Sequence, residues 1–235
     1  MDIAKCFKDA WGLFKLDWAP LTVTALVAAA IVGIFSVVVG LIAGGGIAVG
    51  RLGAFGAGVG AVAGFFASVV LAIVAVVVYS WMLSVVIRMM LRRIRERRPA
   101  DYAEMAEFGE LGTFMIAYFV LGVIVAVCYA LLVIPGLIVT TLWLYALPLI
   151  VDRRLGVGKA MGDSQAMASA PGYFTTFITW FVGALAIGIV VGILSIIPIV
   201  GMIIGLVSVP FGVGYLMSMY FQSIGEGGLI DAAID

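Results

Sequence analysis

Four stretches of this chain contain no Asp, Glu, Lys, Arg or His: residues 18–50, 52–87, 111–151 and 164–225. Each exceeds the roughly 20 apolar residues that an α-helix needs to cross a bilayer, and the last two are long enough for two crossings apiece. Lipid offers no partner for an open backbone N–H or C=O, so segments of this kind can only be helices. Charged residues make up 11% of the chain and hydrophobic ones 65%, against about 25% charged in a soluble domain. The fold class this dictates is all-α: a polytopic membrane protein with six transmembrane helices arranged as three hairpins, joined on one side by interfacial amphipathic helices.

The spans are expected at about 20–43, 60–87, 112–133, 137–151, 172–196 and 201–222, within a single membrane domain over 1–235. With this map, 12 of the 13 Lys and Arg residues fall on one side and only Arg51 on the other. All 13 Asp and Glu residues share the basic side. By the positive-inside rule that side is cytoplasmic, which places both termini inside and the chain in the cell's inner membrane. Charges scattered through residues 1–19 leave no signal-peptide pattern. Cys6 and Cys128 lie at different depths, so no disulfide is expected between them.

Residues 1–19 set Ile3, Phe7, Ala10, Trp11, Phe14 and Trp18 against Lys5, Lys8, Asp9 and Lys15. That spacing predicts an amphipathic helix in the bilayer interface. Shorter segments of similar character precede spans 3 and 5, at 99–111 and 156–170, and 223–235 is a cytoplasmic tail. Pro20 suits the first turn of span 1. Pro135 and Gly136 are expected to form one hairpin turn, and Pro198 and Gly201 another, because proline and glycine break helices and permit tight reversals. Span 4 is short and expected to bend at Pro148. The Ile-Pro-Gly and Ile-Pro-x-x-Gly turns at 134–136 and 197–201 are compatible with an internal repeat, or with hairpins of independent origin.

Ionisable groups inside a bilayer mark ion paths and proton relays. Their absence from the spans argues against a proton- or sodium-coupled transporter, and the lack of any histidine removes the commonest general base and metal ligand. No catalytic, metal or cofactor-binding residue is assigned, and no cofactor is implied. The polar side chains of the spans are hydroxyls, including Thr22, Thr24, Ser36, Ser68, Thr140, Thr141, Thr179, Ser195, Ser208 and Ser218. Such groups bond to a neighbouring helix or back to their own carbonyls. Glycines four residues apart recur at Gly40/Gly44, Gly56/Gly60/Gly64, Gly188/Gly192 and Gly201/Gly205, the small-xxx-small spacing through which membrane helices approach closely. The glycine-rich stretch 44–60 around Arg51 lacks a Gly-Lys-Ser/Thr sequence and reads as an outer loop rather than a phosphate cradle. Arg92, Arg93, Arg95, Arg97 and Arg98 form the strongest basic cluster, suited to anionic-lipid contact or to topological anchoring. Acidic residues follow directly, which argues against nucleic acid. Membrane lipids are the expected partners, with a homo-oligomer or a larger membrane complex as further possibilities.

Residues 131–164, LLVIPGLIVTTLWLYALPLIVDRRLGVGKAMGDS, resemble a run in bacterial multispan proteins labelled glycerophosphodiester phosphodiesterase membrane domain-like. The shared elements are Ile134-Pro135-Gly136, Val151-Asp152, a glycine-bearing loop, and Ala160 with Ser164. The N-terminal AWGLFKLDWAPL (10–21) is similar to the same group's entry into its first span. Met161-Gly162-Asp163 departs from the basic residues common there. The resemblance implies a six-helix membrane module, and because the catalytic domain is absent from this sequence no activity carries over. Three readings stay open: a non-enzymatic membrane scaffold or accessory subunit; a transporter or channel for a neutral or lipidic solute; and a lipid-headgroup enzyme using Asp152, Asp163 or Ser164.

Overall fold

The computed structural model describes residues 1–50, 54–107, 109 and 111–234, with the backbone alone for 42–50, 54–60, 198 and 199. The described residues form helices α1 (Ile3–Leu16), α2 (Trp18–Gly50), α3 (Ala54–Glu96), α4 (Leu111–Leu131), α5 (Val133–Leu142), α6 (Ala146–Arg153), α7 (Val157–Ser169), α8 (Tyr173–Leu194), α9 (Pro198–Ser223) and α10 (Gly228–Ile234). A 3-10 turn spans Tyr102–Ala106, and no strand occurs among the described residues. Six segments are long and apolar enough to cross a membrane: Trp18–Leu41, Ala61–Glu96, Leu111–Leu131, Val133–Arg153, Tyr173–Leu194 and Val200–Ser223. The chain is an all-α, multi-pass membrane protein.

Its core lies toward one end of the bundle. Cys6, Ala10 and Leu13 of α1, Val85, Val86 and Met89 of α3, Leu149 of α6 and Met217, Met219 and Phe221 of α9 are almost fully buried. Further along the spans the apolar side chains face outward, as Ile34, Val37 and Leu41 of α2 and Phe65, Val70 and Ile73 of α3 do. Lipid tails are as apolar as leucine, so these residues gain little from burial against protein. The 43 residues of α3 extend about 65 Å at 1.5 Å per residue, twice the roughly 30 Å of a hydrocarbon core. The surplus at its C-terminal end carries Arg88 to Glu96 past the apolar stretch and into contact with α6, α9 and α10.

α1 departs from the expected surface helix. It packs against α9 and α10, and Asp9, placed by periodicity among the polar positions, is 1% exposed. Small residues make the close approach: a Cβ on Gly214 of α9 would stand 3.3 Å from Ala10 Cα, and one on Gly12 would strike the Ile234 side chain at 2.6 Å. Trp11 and Trp18 do remain exposed.

The breaks within the helices also differ from expectation. The chain interrupts at Leu132, and Pro135 and Gly136 lie inside the first turns of α5. A proline there loses no intrahelical bond, while Gly136 receives the Tyr129 ring, 2.6 Å from where a Cβ would be. Likewise Pro198 opens α9 after Ile197, and Gly201 accommodates the end of α8, its missing Cβ 2.8 Å from Ser195 Cα. In both places the proline starts a helix and the glycine admits a neighbour. The bend expected at Pro148 falls at 143–145, between α5 and α6. Proline has no N–H for the carbonyl four residues earlier and its ring displaces that carbonyl, so the disruption lies on its N-terminal side.

Of the glycines singled out by spacing, Gly40, Gly64, Gly188, Gly192 and Gly205 have nothing among the described residues within 4 Å of where a Cβ would stand. Gly44, Gly56 and Gly60, and Arg51 beside them, have surroundings outside the described residues. A second close contact between α8 and α9 occurs at Gly183, where a Cβ would overlap the Tyr215 ring. That ring cannot swing aside freely, because its hydroxyl donates to Thr179 O at 2.7 Å. Gly183→Ala should therefore cost about 1–3 kcal/mol from overpacking, while Gly188→Ala should be neutral or gain up to about 1 kcal/mol from helix propensity. Thermal unfolding of both variants in detergent checks the contrast.

Candidate functional site at the charged end of the bundle

The ionisable side chains converge where α1, α3, α6, α9 and α10 meet. Arg88, Arg92 and Arg95 sit at i, i+4 and i+7 on α3 and share one face of it. Asp152, in the last turn of α6, has a side chain only 4% exposed. Its carboxylate accepts from Arg95 Nε at 2.6 Å and Nη2 at 2.8 Å, and from the Tyr220 hydroxyl of α9 at 2.6 Å. The guanidinium also approaches Glu226 at 3.3 Å and lies over the Phe221 ring at 5.3 Å. A bidentate arginine–carboxylate pair with a third donor satisfies most of what a buried carboxylate demands.

Neighbouring pairs extend the network. Arg92 holds Glu107 at 2.6 Å and lies 3.7 Å from Glu104. Its hydrogen bonds hold the Glu107 carboxyl below its ordinary value. Burial pushes the Glu104 carboxyl up, with Arg92 opposing it, and among the described residues Glu104 Oε2 has no hydrogen-bond partner. Asp17, the residue between α1 and α2, accepts from Ala100 N at 3.2 Å and faces Arg93 at 3.6 Å. Lys5 of α1 reaches Asp231 of α10 at 2.7 Å.

The five arginines of the expected lipid-contact cluster thus have different surroundings. Arg92, Arg93 and Arg95 face acidic groups of the same chain, Arg98 lies 3.8 Å from Glu96 with its side chain 78% exposed, and Arg97 is exposed. Arg97 and Arg154 both adopt the left-handed conformation, at φ 55° and 52°. That region costs a non-glycine residue of order 1 kcal/mol.

A second polar cluster joins α1 to α9. Ser218 donates to Asp9 Oδ2 at 2.6 Å, and Gln222 Nε2 donates to Ser218 Oγ at 3.2 Å and reaches Cys6 Sγ at 3.3 Å. Burial pushes both the Asp9 carboxyl and the Cys6 thiol above their ordinary values. Cys6 and Cys128 are both free.

Ser164 of α7 is fully buried and bridges the break in span 4. It accepts from Tyr145 N at 3.1 Å and donates to Leu142 O at 2.9 Å, engaging two main-chain groups beside the break. Asp152 and Ser164, two of the three candidate enzymatic residues, therefore act as ties between helices, and Asp163 is half-buried on α7. Sequence reasoning missed Asp9, Asp17, Arg88, Tyr220 and Glu226. Asp9 alone left a signal, lying on one helical face with Cys6, Ala10 and Leu13, although Lys5 and Lys8 close by assigned it to the polar side.

Among the described residues no group of three or more Cys, Asp or Glu converges as a metal site. No family model, curated protein or solved structure matches the chain.

Asp152→Ala leaves the Arg95 guanidinium and the Tyr220 hydroxyl without their acceptor, and should cost about 1–3 kcal/mol; unfolding in detergent measures it. Asp9 gives a prediction in pH. A carboxyl raised in the folded state holds its proton more tightly there than in the unfolded chain. Its contribution to stability thus rises as pH falls through the folded pKa and is lowest at neutral pH. As pH falls from neutral toward the ordinary carboxylate range, the wild type should gain stability relative to Asp9→Asn, whose residue 9 does not titrate. Melting curves of the two proteins across that range test the sign.

Proposed function

We propose that the chain is a non-enzymatic integral membrane scaffold or accessory subunit. It acts through helix packing, with its charged end as a rigid cytoplasmic platform and α1 closing that platform at the membrane surface. The supporting observation is how the polar groups of the spans are used. Thr22, Thr24, Ser36, Ser68, Thr140, Thr141, Thr179 and Ser195 each donate to the carbonyl four residues back in their own helix. Ser80 and Ser208 donate three residues back. Hydroxyls engaged in this way offer little to a polar solute. The surface left for function is the apolar flank of α2 and α3, where Val37, Phe65, Val70 and Ile73 are exposed. On this reading the spans form three hairpins, both termini are cytoplasmic, and the flank meets a second copy or another membrane subunit. A six-helix module without catalytic machinery is also what the sequence resemblance implies.

The alternative, carriage of a lipidic solute, is favoured by one feature. A cleft of about 450 Å³ opens between α2, α3 and α9, lined by Leu26, Tyr79, Met82, Met202 and Val209 among others.

Single cysteines at Phe65 and Val70, in a Cys6→Ala, Cys128→Ala background, should give intermolecular disulfide adducts in native membranes. Ile189→Cys on α8, 52% exposed, should not. Equal or absent adducts, together with lipid transfer in proteoliposomes, would replace the scaffold reading with the carrier.

A further inference from the structure

We infer that the cleft between α2, α3 and α9 holds one acyl chain of a phospholipid from the leaflet at the charged end, as a resident part of the bundle rather than as cargo. Its volume of about 450 Å³ falls within the roughly 300–1,000 Å³ of ligand sites. Its depth selects the ligand. Tyr79 and Met82 on the α3 wall come nine and six residues before Arg88, about 14 and 9 Å along the helix axis. Ala25, where the α2 wall begins, comes seven residues after Trp18, about 11 Å. A hydrocarbon core is roughly 30 Å thick, so the cleft lies among the acyl chains of that leaflet and clear of its headgroups.

Small residues keep the space open. Ala29 and Ala30 of α2 and Gly205 of α9 line it, and nothing among the described residues stands within 4 Å of where a Cβ on Gly205 would be. α2 and α9 still pack against each other, so the gap sits beside a true contact. Its floor is protein and its mouth is membrane. Ala25 and Met82 are each 3% exposed, whereas Leu26, Tyr79 and Met202 are 53%, 42% and 70% exposed. The mouth is continuous with the lipid-facing surface of α2 that Val27 and Ile34 extend.

Three occupants compete for such a gap. Water needs two or more polar partners, and the lining residues offer one side-chain hydroxyl, that of Tyr79. A helix of a second copy is too wide, since one turn about 10 Å across already takes up about 400 Å³. An acyl chain is slender, flexible and already present at the mouth. On a flat helix face it touches protein on one side; here it meets α2, α3 and α9 together. Dispersion summed over those contacts is what favours association in a solvent as apolar as the wall. Met82 and Met202 suit a ligand without fixed shape, because unbranched thioether chains adjust to it. The lining has no charged residue to carry a headgroup across, so the chain enters while its headgroup stays in its own leaflet. That separates a resident lipid from the transported one of the carrier reading.

The full chain, purified in mild detergent and washed free of lipid, is titrated with dioleoyl phosphatidylglycerol, dioleoyl phosphatidylcholine and dihexanoyl phosphatidylglycerol, with bound lipid counted by native mass spectrometry. Both dioleoyl lipids should bind at one per chain, whatever their headgroup charge, and the dihexanoyl lipid should not. Gly205→Leu and Ala29→Leu place a side chain in the cleft and should each weaken binding by about tenfold or more. Gly188→Leu on α8, equally open but outside the cleft, should bind as the wild type does. On the wild type, dioleoyl phosphatidylcholine with a diazirine midway along one chain should crosslink preferentially within 25–30, 79–82 or 202–209, which decides the matter if neither leucine variant folds. The inference is overturned if no dioleoyl lipid binds, if the dihexanoyl lipid binds as well, if folded cleft variants match Gly188→Leu, or if crosslinks fall elsewhere. None of these results depends on the disulfide adducts, so the scaffold can fail while the lipid site stands, and the reverse.

Discussion

The Asp152 carboxylate, held between Arg95 of α3 and Tyr220 of α9, is the interaction on which the arrangement of the bundle depends. In lipid there is little hydrophobic drive to press one apolar helix against another, so relative position comes from close packing and from polar ties. Here the ties gather at one end. A carboxylate withdrawn from water is tolerable only when its donors stand in place, and in this protein the donors come from two other helices. Meeting that requirement brings α3, α6 and α9 to one point. Ser218 on Asp9 and Arg93 near Asp17 then attach α1 and the start of α2 to the same end.

Away from this end the structure loosens for the same reason. Outward-facing valines and isoleucines on α2 and α3 need no protein partner in a bilayer, and hydroxyls bonded to their own helices create no demand for one. Close contact survives where shape requires it. Tyr129 lies on Gly136 and Tyr215 on Gly183, a large flat ring in each case filling the place of an absent side chain. Spacing alone pointed to other glycines, because a four-residue repeat identifies a groove on a helix without saying whether anything occupies it.

The run from 131 to 164 has a physical reading of its own. Gly136 seats an aromatic ring, Asp152 joins α6 to α3 and α9, and Ser164 bonds main-chain groups at the break that Pro148 imposes. These residues explain how a bent fourth span is held in a bundle, whatever task the bundle serves.

Much of the architecture was legible in the residues themselves. Runs without a titratable group could only be membrane helices, and the clustering of charge beside them marked the end at which polar contacts would form. Pro20 and Pro198 lie in first helical turns because their missing N–H has no intrahelical role there. Less legible were Asp9, whose place on the helical wheel suggested solvent, and Arg88, which looked like one more basic residue beside a membrane. By itself the sequence determined the number and apolar character of the spans, since these follow from backbone hydrogen bonding in lipid. Only the tertiary structure decided which charges pair and which glycines carry contacts, because those depend on residues as many as 226 positions apart being brought within 3 Å.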